Sequence, residues 1–196
     1  MIETNHLTSD YWENRYQESK TGWDIGYANK IHTDYVEANY GKDARILIPG
    51  AGSAYEAEYL WKRGYTNVHP CDFAPEAKER FLKRVSDFPD NQFITGDFFE
   101  ITDRFDLVLE QTFFCAINPN LRKSYVSHMH DILNVDGKIY GVMFDMDKPD
   151  GPPYGGNPVE YKTLFSNYFA ILTMEKSQKS IPKRMGNELI VEFLKK

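Results

Sequence analysis

Short apolar runs rich in β-formers alternate along the chain with longer stretches of helical period, the pattern of a parallel sheet joined by crossover helices. Seven runs read as strands, at 45–49, 68–71, 92–95, 105–110, 137–144, 169–176 and 187–194. Helical period falls at 55–63, 75–85, 120–133 and 158–165. The third of these helices is expected to end at the sequence NVDG, where Gly137 is a stop signal. The connection KSQKSIPKRMGN is too polar and too short for a crossover helix, so the sixth and seventh strands are expected to pair as an antiparallel hairpin. Ahead of position 45, Trp12, Tyr16, Trp23 and the turn TGWD read as a helical extension followed by a loop lying over the sheet. The predicted class is α/β, a mostly parallel sheet with an antiparallel strand near its end, without repeats or linkers.

Composition narrows the functions such a sheet could serve. At 196 residues the chain suits one domain, 1–196, since single cores stop growing only past about 250 residues. Hydrophobic residues at 41% against charged residues at 27% exclude disordered and collagen-like chains. No apolar run approaches the ~18 residues of a membrane span. A net charge of -6 gives no positive field to collect phosphate backbone, so nucleic acid is not an expected partner. Cys71 and Cys115 stand in no metal-ligand spacing and are too few for a disulfide framework. The opening MIETNHLTSDYWENRY has neither the basic start nor the apolar stretch of a signal peptide. A cytoplasmic monomer acting on a small molecule is the expectation.

The segment RILIPGAGSAYEAEYLWKRG sets a buried strand before a glycine-rich turn and a helix, where open α/β sheets bind nucleotide-like ligands. Gly50 and Gly52 let backbone approach a ligand closely, although many such turns only close a strand onto a helix. Asp72, at the end of the next strand, strengthens the signal because a carboxylate there accepts both hydroxyls of a ribose. It equally suits an N-cap for the helix starting at Pro75. A dinucleotide site wants a third glycine where this chain has Tyr55, which counts against NAD. An adenosine without phosphate needs no helix-end cradle. In GDFFE, Asp97 can accept from an adenine amino group and Phe98 can cover the ring, or both can serve a plain loop.

The order TGWD, LIPGAGSAYEAEYLWKRG, CDFAPEA, GDFFE, QTFFCAINPNLR, GPPY and IPKRMG resembles the thiopurine and thiol/halide S-methyltransferase family of S-adenosylmethionine enzymes, from about Tyr11 to the C-terminus. The resemblance implies a Rossmann-like, seven-stranded class I methyltransferase fold with an N-terminal helical lid at 1–44. It implies S-adenosyl-L-methionine as cofactor and a small-molecule methyl acceptor. Matching positions put the methionine moiety beside Gly50 and the ribose on Asp72, with Phe73 flanking the adenine and Asp97 and Phe98 at the adenine pair; Gly52 completes the cofactor-binding turn. Trp12, Tyr16 and Trp23 match aromatic positions of the segment that folds over the cofactor. Gln111 stands where relatives carry Tyr or Arg, and Ala51 and Ala54 replace a usual Cys and Gly.

Methyl transfer is an in-line displacement in which alignment dominates, worth ~7–11 kcal/mol for well-oriented reactants. A thiolate, selenide or halide already carries its lone pair as an anion, so no general base is assigned. The pocket candidates are Trp23, Phe114 and Tyr154, with Phe113 read as core. His128 and His130 fall on different helix faces, and no metal site is expected. Asp145 and Asp147 read as a solvated pair, Arg122 as an anchor of its helix or a loop, and GPPY as a rigid turn beside the pocket. Two other functions stay open: a binding domain of this fold without turnover, which Gln111 keeps alive, and an NAD-dependent oxidoreductase.

Overall fold

Apolar residues on both faces define the middle of the sheet. The strand β1 (Ile46–Pro49) is buried throughout, and β2 (Val68–Asp72) and β4 (Phe105–Gln111) nearly so, which calls for helices on either side. The structure, a computed structural model, describes residues 7–196; residues 1–6 of the expected lid lie outside the described residues. The seven-stranded sheet has the order β3 (Ile94–Thr95), β2, β1, β4, β5 (Leu133–Phe144), β7 (Glu188–Lys195), β6 (Phe169–Lys176). Strands from β3 to β5 pair in parallel, and β7 lies antiparallel between β5 and β6, forming the expected hairpin.

Alternation along β1 splits the core in two. Ile46 and Ile48 face α2 (Lys30–Asn39), α3 (Tyr55–Lys62) and α4 (Pro75–Arg84) through Val36, Ala57, Leu60 and Phe81. Leu47 faces α5 (Arg122–Asp131) and α6 (Pro158–Phe165) through Tyr125, Met129, Tyr161 and Phe165. The first helix, α1 (Ser9–Gln17), packs on α4, where Arg80 Nη2 donates to the Tyr16 carbonyl at 2.8 Å and the Glu76 amide to Glu13 Oε2 at 3.1 Å.

Three elements depart from expectation. The helix before β5 does not run to NVDG: α5 ends at Asp131, and that sequence forms a distortion within β5, with Asp136 at φ 61 and a register shift against β4 between Phe105 and Leu107. Gly137 is needed there because a Cβ would fall 2.8 Å from the Asn134 carbonyl oxygen. The third strand shrinks to two residues, because 90–92 wind into a 3₁₀ turn. The segment after TGWD, expected as loop, contains α2, whose buried Ile31, His32, Thr33 and Val36 mix polar with apolar types and blur the periodic signal.

β1 is the point where the sheet order reverses, with β2 on one side and β4 on the other. The crevice at the carboxyl ends of these strands is where open sheets take ligands.

Candidate active site

The turn after β1 is left-handed at three positions: Gly50 at φ 59, Gly52 at φ 56 and Ala54 at φ 51. Glycine is required at 50 on packing as well as backbone grounds, since a Cβ there would lie 2.4 Å from the Phe113 ring. Ala54 holds the same conformation with a side chain, at a cost of ~1–2 kcal/mol.

Asp72 ends β2 and is 7% exposed. Its Oδ2 accepts from the Gly52 amide at 2.8 Å and, more distantly, from the Tyr16 hydroxyl at 3.4 Å; its Oδ1 accepts from the Ala74 amide at 3.0 Å. The carboxylate therefore joins the glycine turn, the start of α4 and the N-terminal helix. Burial raises its pKa, against the opposing pull of these donors. Tyr16 is pushed up by burial and then by the Asp72 charge, so its hydroxyl stays a donor.

Asp72 and Gly50 open into a cavity of about 450 Å³. Trp12, Tyr16 and Trp23 form its roof, stacked edge to face with ring centroids 5.4 Å (Trp12–Trp23) and 5.8 Å (Tyr16–Trp23) apart. Phe73, Asp97, Phe98 and Phe113 line it, as do Arg15, Arg184, Pro152 and Pro153. Asp97 Oδ1 accepts from the Phe99 amide at 2.9 Å, which leaves its other oxygen without a bond from that turn. Arg184 Nη2 donates to the Trp23 carbonyl at 2.7 Å and thereby ties the β6–β7 connection to the roof. Both thiols line the cavity, and burial raises the pKa of each well above the ordinary range.

A second, smaller space of about 50 Å³ lies beyond the glycine turn and shares Trp23, Gly50 and Thr112 with the large cavity. Gly52 and Gln111 stand here. Asn29 uses its Oδ1 to cap α2 at the Ile31 amide, so its Nδ2 donates to Gln111 Oε1 at 2.9 Å. The Gln111 Nε2 is left with its protons to give.

Two expected pocket residues stand elsewhere. Phe114 is 2% exposed and packs in the core on Tyr125, Tyr161 and Phe165. Its neighbour Phe113, expected in the core, lines the cavity instead. The reason is Glu110, whose buried Oε1 accepts from the Phe113 and Phe114 amides at 2.9 and 3.0 Å and whose Oε2 accepts from Tyr125 at 2.5 Å. With Thr112 at φ 60, this turn sends the first phenylalanine outward and the second inward. Tyr154 lines a separate open cleft with Asp145, Asp147 and Arg122, while the prolines of GPPY reach the cavity. Asp145 pairs there with Lys176 at 2.6 Å. Arg122 acts as the expected anchor, joining Glu160 at 2.6 Å and the Gly155 carbonyl at 2.7 Å. Among the described residues, no group of His, Cys, Asp or Glu is arranged to hold a metal ion.

Sequence reasoning gave no role to Arg15, Glu110, Thr112 or Arg184. Only Arg184 carried a signal, as part of the run IPKRMG.

The family model described as thiopurine S-methyltransferase matches residues 7–195, nearly the whole described chain. The chain belongs to this family. The S-methyltransferase family includes relatives of comparable length. A probable thiol methyltransferase 2 of Arabidopsis thaliana is 29% identical over 195 residues, covering 96% of this chain and 86% of the relative. Thiocyanate methyltransferase 1 of the same plant is 27% identical, covering 94% and 84%. A thiopurine S-methyltransferase of Acinetobacter baylyi is 22% identical, covering 92% and 94%. Among solved structures, the 1,6-didemethyltoxoflavin-N1-methyltransferase of Burkholderia thailandensis, with bound S-adenosylhomocysteine, matches with a TM-score of 0.78 at 18% identity, covering 100% of this chain and 92% of that one. A TehB-like methyltransferase of Corynebacterium glutamicum matches with a TM-score of 0.67 at 20% identity, covering 96% and 98%. These structures share the class I methyltransferase fold. The family member described here is an S-adenosylmethionine-dependent methyltransferase, and the dinucleotide reading is set aside.

Proposed function

We propose that the protein transfers a methyl group from S-adenosylmethionine to a small, soft, anionic nucleophile, a thiolate sulfur first, with thiocyanate, halide and selenium or tellurium species as further acceptors. One observation carries the acceptor class. The large cavity has aromatic walls and two guanidinium groups, Arg15 and Arg184; its carboxylates, Asp72 and Asp97, are the two assigned to the cofactor, and among the described residues no histidine lines it. Its thiols and Tyr16 are held protonated by burial, so none is suited to take a proton near neutral pH. An acceptor that arrives as an anion needs no base.

The residues present fit the cofactor. When bound, it supplies a methyl group on a positively charged sulfur. Asp72 holds the ribose hydroxyls with the lone pairs its backbone donors leave free, and the long bond from Tyr16 is the one that yields. Phe73, Asp97 and Phe98 recognise the adenine, Asp97 with its unengaged oxygen. Gly50 and Gly52 keep the backbone close to the methionine moiety, and Gln111 Nε2 donates beside it. Trp12, Tyr16 and Trp23 close over the cofactor, and Trp23 with Phe113 excludes water from the acceptor. Phe114 and Tyr154 are not assigned to the pocket. Among the described residues no helix is long and apolar enough to cross a membrane. The reading extends to one catalytic domain acting as a cytoplasmic monomer, with support from the two buried free thiols and the net charge of -6.

The test is methyl transfer to a series of thiols of differing pKa, with thiocyanate and iodide alongside. We expect kcat/KM to rise with pH along each thiol's own ionisation and to stay level for iodide. One common pH profile for every thiol would reveal a base on the enzyme and overturn the mechanism. Binding of S-adenosylhomocysteine without transfer to any acceptor would favour the binding-domain reading.

A further inference from the structure

The roof segment is tied to the rest of the site at two neighbouring residues. Asp24 accepts from Ser53 Oγ at 2.5 Å, which joins it to the glycine turn after β1. Trp23 offers its carbonyl to Arg184 Nη2 at 2.7 Å, which joins it to the β6–β7 connection, 161 residues away in the chain. The Trp23 ring, packed edge to face on Trp12 and Tyr16, hangs between these two ties.

A guanidinium on a long side chain needs a second partner to aim it. Arg184 closes a 3₁₀ turn, Pro182–Arg184, and its Nη1 donates to Glu188 Oε1 at 3.4 Å, at the start of β7. The two side chains are 12% and 3% exposed. Among the described residues Arg184 makes the one hydrogen bond to this carboxylate. A buried carboxylate holds such a cation firmly, since parting them strands a charge out of water. Glu188 is itself fixed by the sheet, where it pairs with Phe144 of β5, the centre of whose ring is 5.9 Å from the guanidinium carbon. It is not part of the wall of the large cavity. The two ends of the bridge therefore differ in kind. The Glu188 end is ionic and buried, whereas the Trp23 end is a bond to a neutral carbonyl, which water can replace.

We propose that Glu188 is a positioning residue of the active site: it holds the Arg184 guanidinium against the Trp23 carbonyl and so latches the roof over a bound nucleoside. The inference rests on the function proposed above, in which Trp23 closes over the cofactor. Ligand exchange parts the Trp23 end, while the Arg184–Glu188 pair stays with β7. Arginine suits the position because its planar fork serves two acceptors at once, as the point charge of a lysine does not.

S-adenosylhomocysteine is the probe, with binding and release followed by stopped-flow tryptophan fluorescence, since Trp12 and Trp23 line the cavity. Arg184→Met is expected to speed release at least about tenfold, as loss of a hydrogen bond to a charged group gives, with a smaller change in association. Glu188→Gln, which leaves Arg184 in place but unrestrained, should speed release severalfold. Because Glu188 acts through Arg184, the double variant should release within about twofold of Arg184→Met alone. Glu160→Gln breaks the pair with Arg122, away from the roof, and should release as the parent does. Parental release in Glu188→Gln, or effects that multiply in the double variant, overturns the proposal. Equal acceleration in Glu160→Gln overturns it too, because general loosening would then account for the effect. Arg184→Met leaves the Glu188 carboxylate buried alone; should it fail to fold, Arg184→Lys, alone and combined with Glu188→Gln, carries the same comparison. A parent that binds no S-adenosylhomocysteine by fluorescence or calorimetry refutes the cofactor reading itself, an outcome distinct from binding with unaltered release in the variants.

Discussion

Asp72 accepts from two backbone amides and a tyrosine in the free protein, so its removal affects folding as well as binding. Asp72→Ala strands two buried amides at ~1–3 kcal/mol each. Asp72→Asn keeps one acceptor oxygen. Both variants should lose at least about tenfold in affinity for S-adenosylhomocysteine, whereas the fall in Tm should be smaller for Asn than for Ala. Equal affinity in Asn variant and parent would remove the ribose assignment. Glu110 makes a pH prediction: burial raises its pKa from 4.5 to about 6, against the pull of Tyr125 and the Phe114 and Phe113 amides. The native state then binds a proton more tightly than the unfolded chain, so this group's stabilising contribution is present below pH 4.5 and lost as pH rises through about 6. Relative to Glu110→Gln, the parent should lose Tm across that window; a constant difference would mean the carboxylate titrates normally. That Gly50 and Asp72 meet at one cavity was readable because both stand at the carboxyl ends of neighbouring parallel strands. The exchange of Phe113 and Phe114 was not, because the direction of two adjacent side chains depends on a turn set by Glu110 through hydrogen bonds.

The elements around the site differ in how they are held. α1 and the Trp23 loop are tied by polar contacts to distant parts of the chain: Arg80 to the Tyr16 carbonyl, Arg184 to the Trp23 carbonyl, and Ser9 Oγ to the Phe73 carbonyl at 3.1 Å. The sheet has no such latitude. At Gly141 in β5 a Cβ would lie 1.9 Å from the Glu110 carbonyl oxygen on β4. We expect Gly141→Ala to cost about 3 kcal/mol or more in a urea titration, since crowding of this kind is destabilising by ~1–3 kcal/mol even against yielding neighbours. Trp23→Ala should instead lower turnover with near-parental far-UV circular dichroism and a modest change in Tm. Unchanged kinetics would show that the roof is no lid. The strands and most helices followed from periodicity alone, while α2 escaped because its buried face includes His32 and Thr33.

For the whole molecule, ligand binding in the crevice is expected to raise the stability of the native state. S-adenosylhomocysteine at about 100 times its Kd should stabilise the native state by about 2.7 kcal/mol, read as a rise in Tm. No rise at saturating ligand would mean the crevice does not take the nucleoside. Hydrophobic period and the polar connection before β7 determined by themselves a mostly parallel sheet with one antiparallel strand, and the glycine turn with Asp72 marked the strand ends at which the large cavity opens. Those features are local, since side-chain alternation and turn geometry are fixed by neighbours in sequence. Tertiary structure alone decided that Arg15 and Arg184 share one cavity, that His32 is buried whole with its Nδ1 unpartnered, and that Phe113 rather than Phe114 lines the large cavity. Each depends on contacts between segments distant in the chain, whose meeting no local pattern encodes.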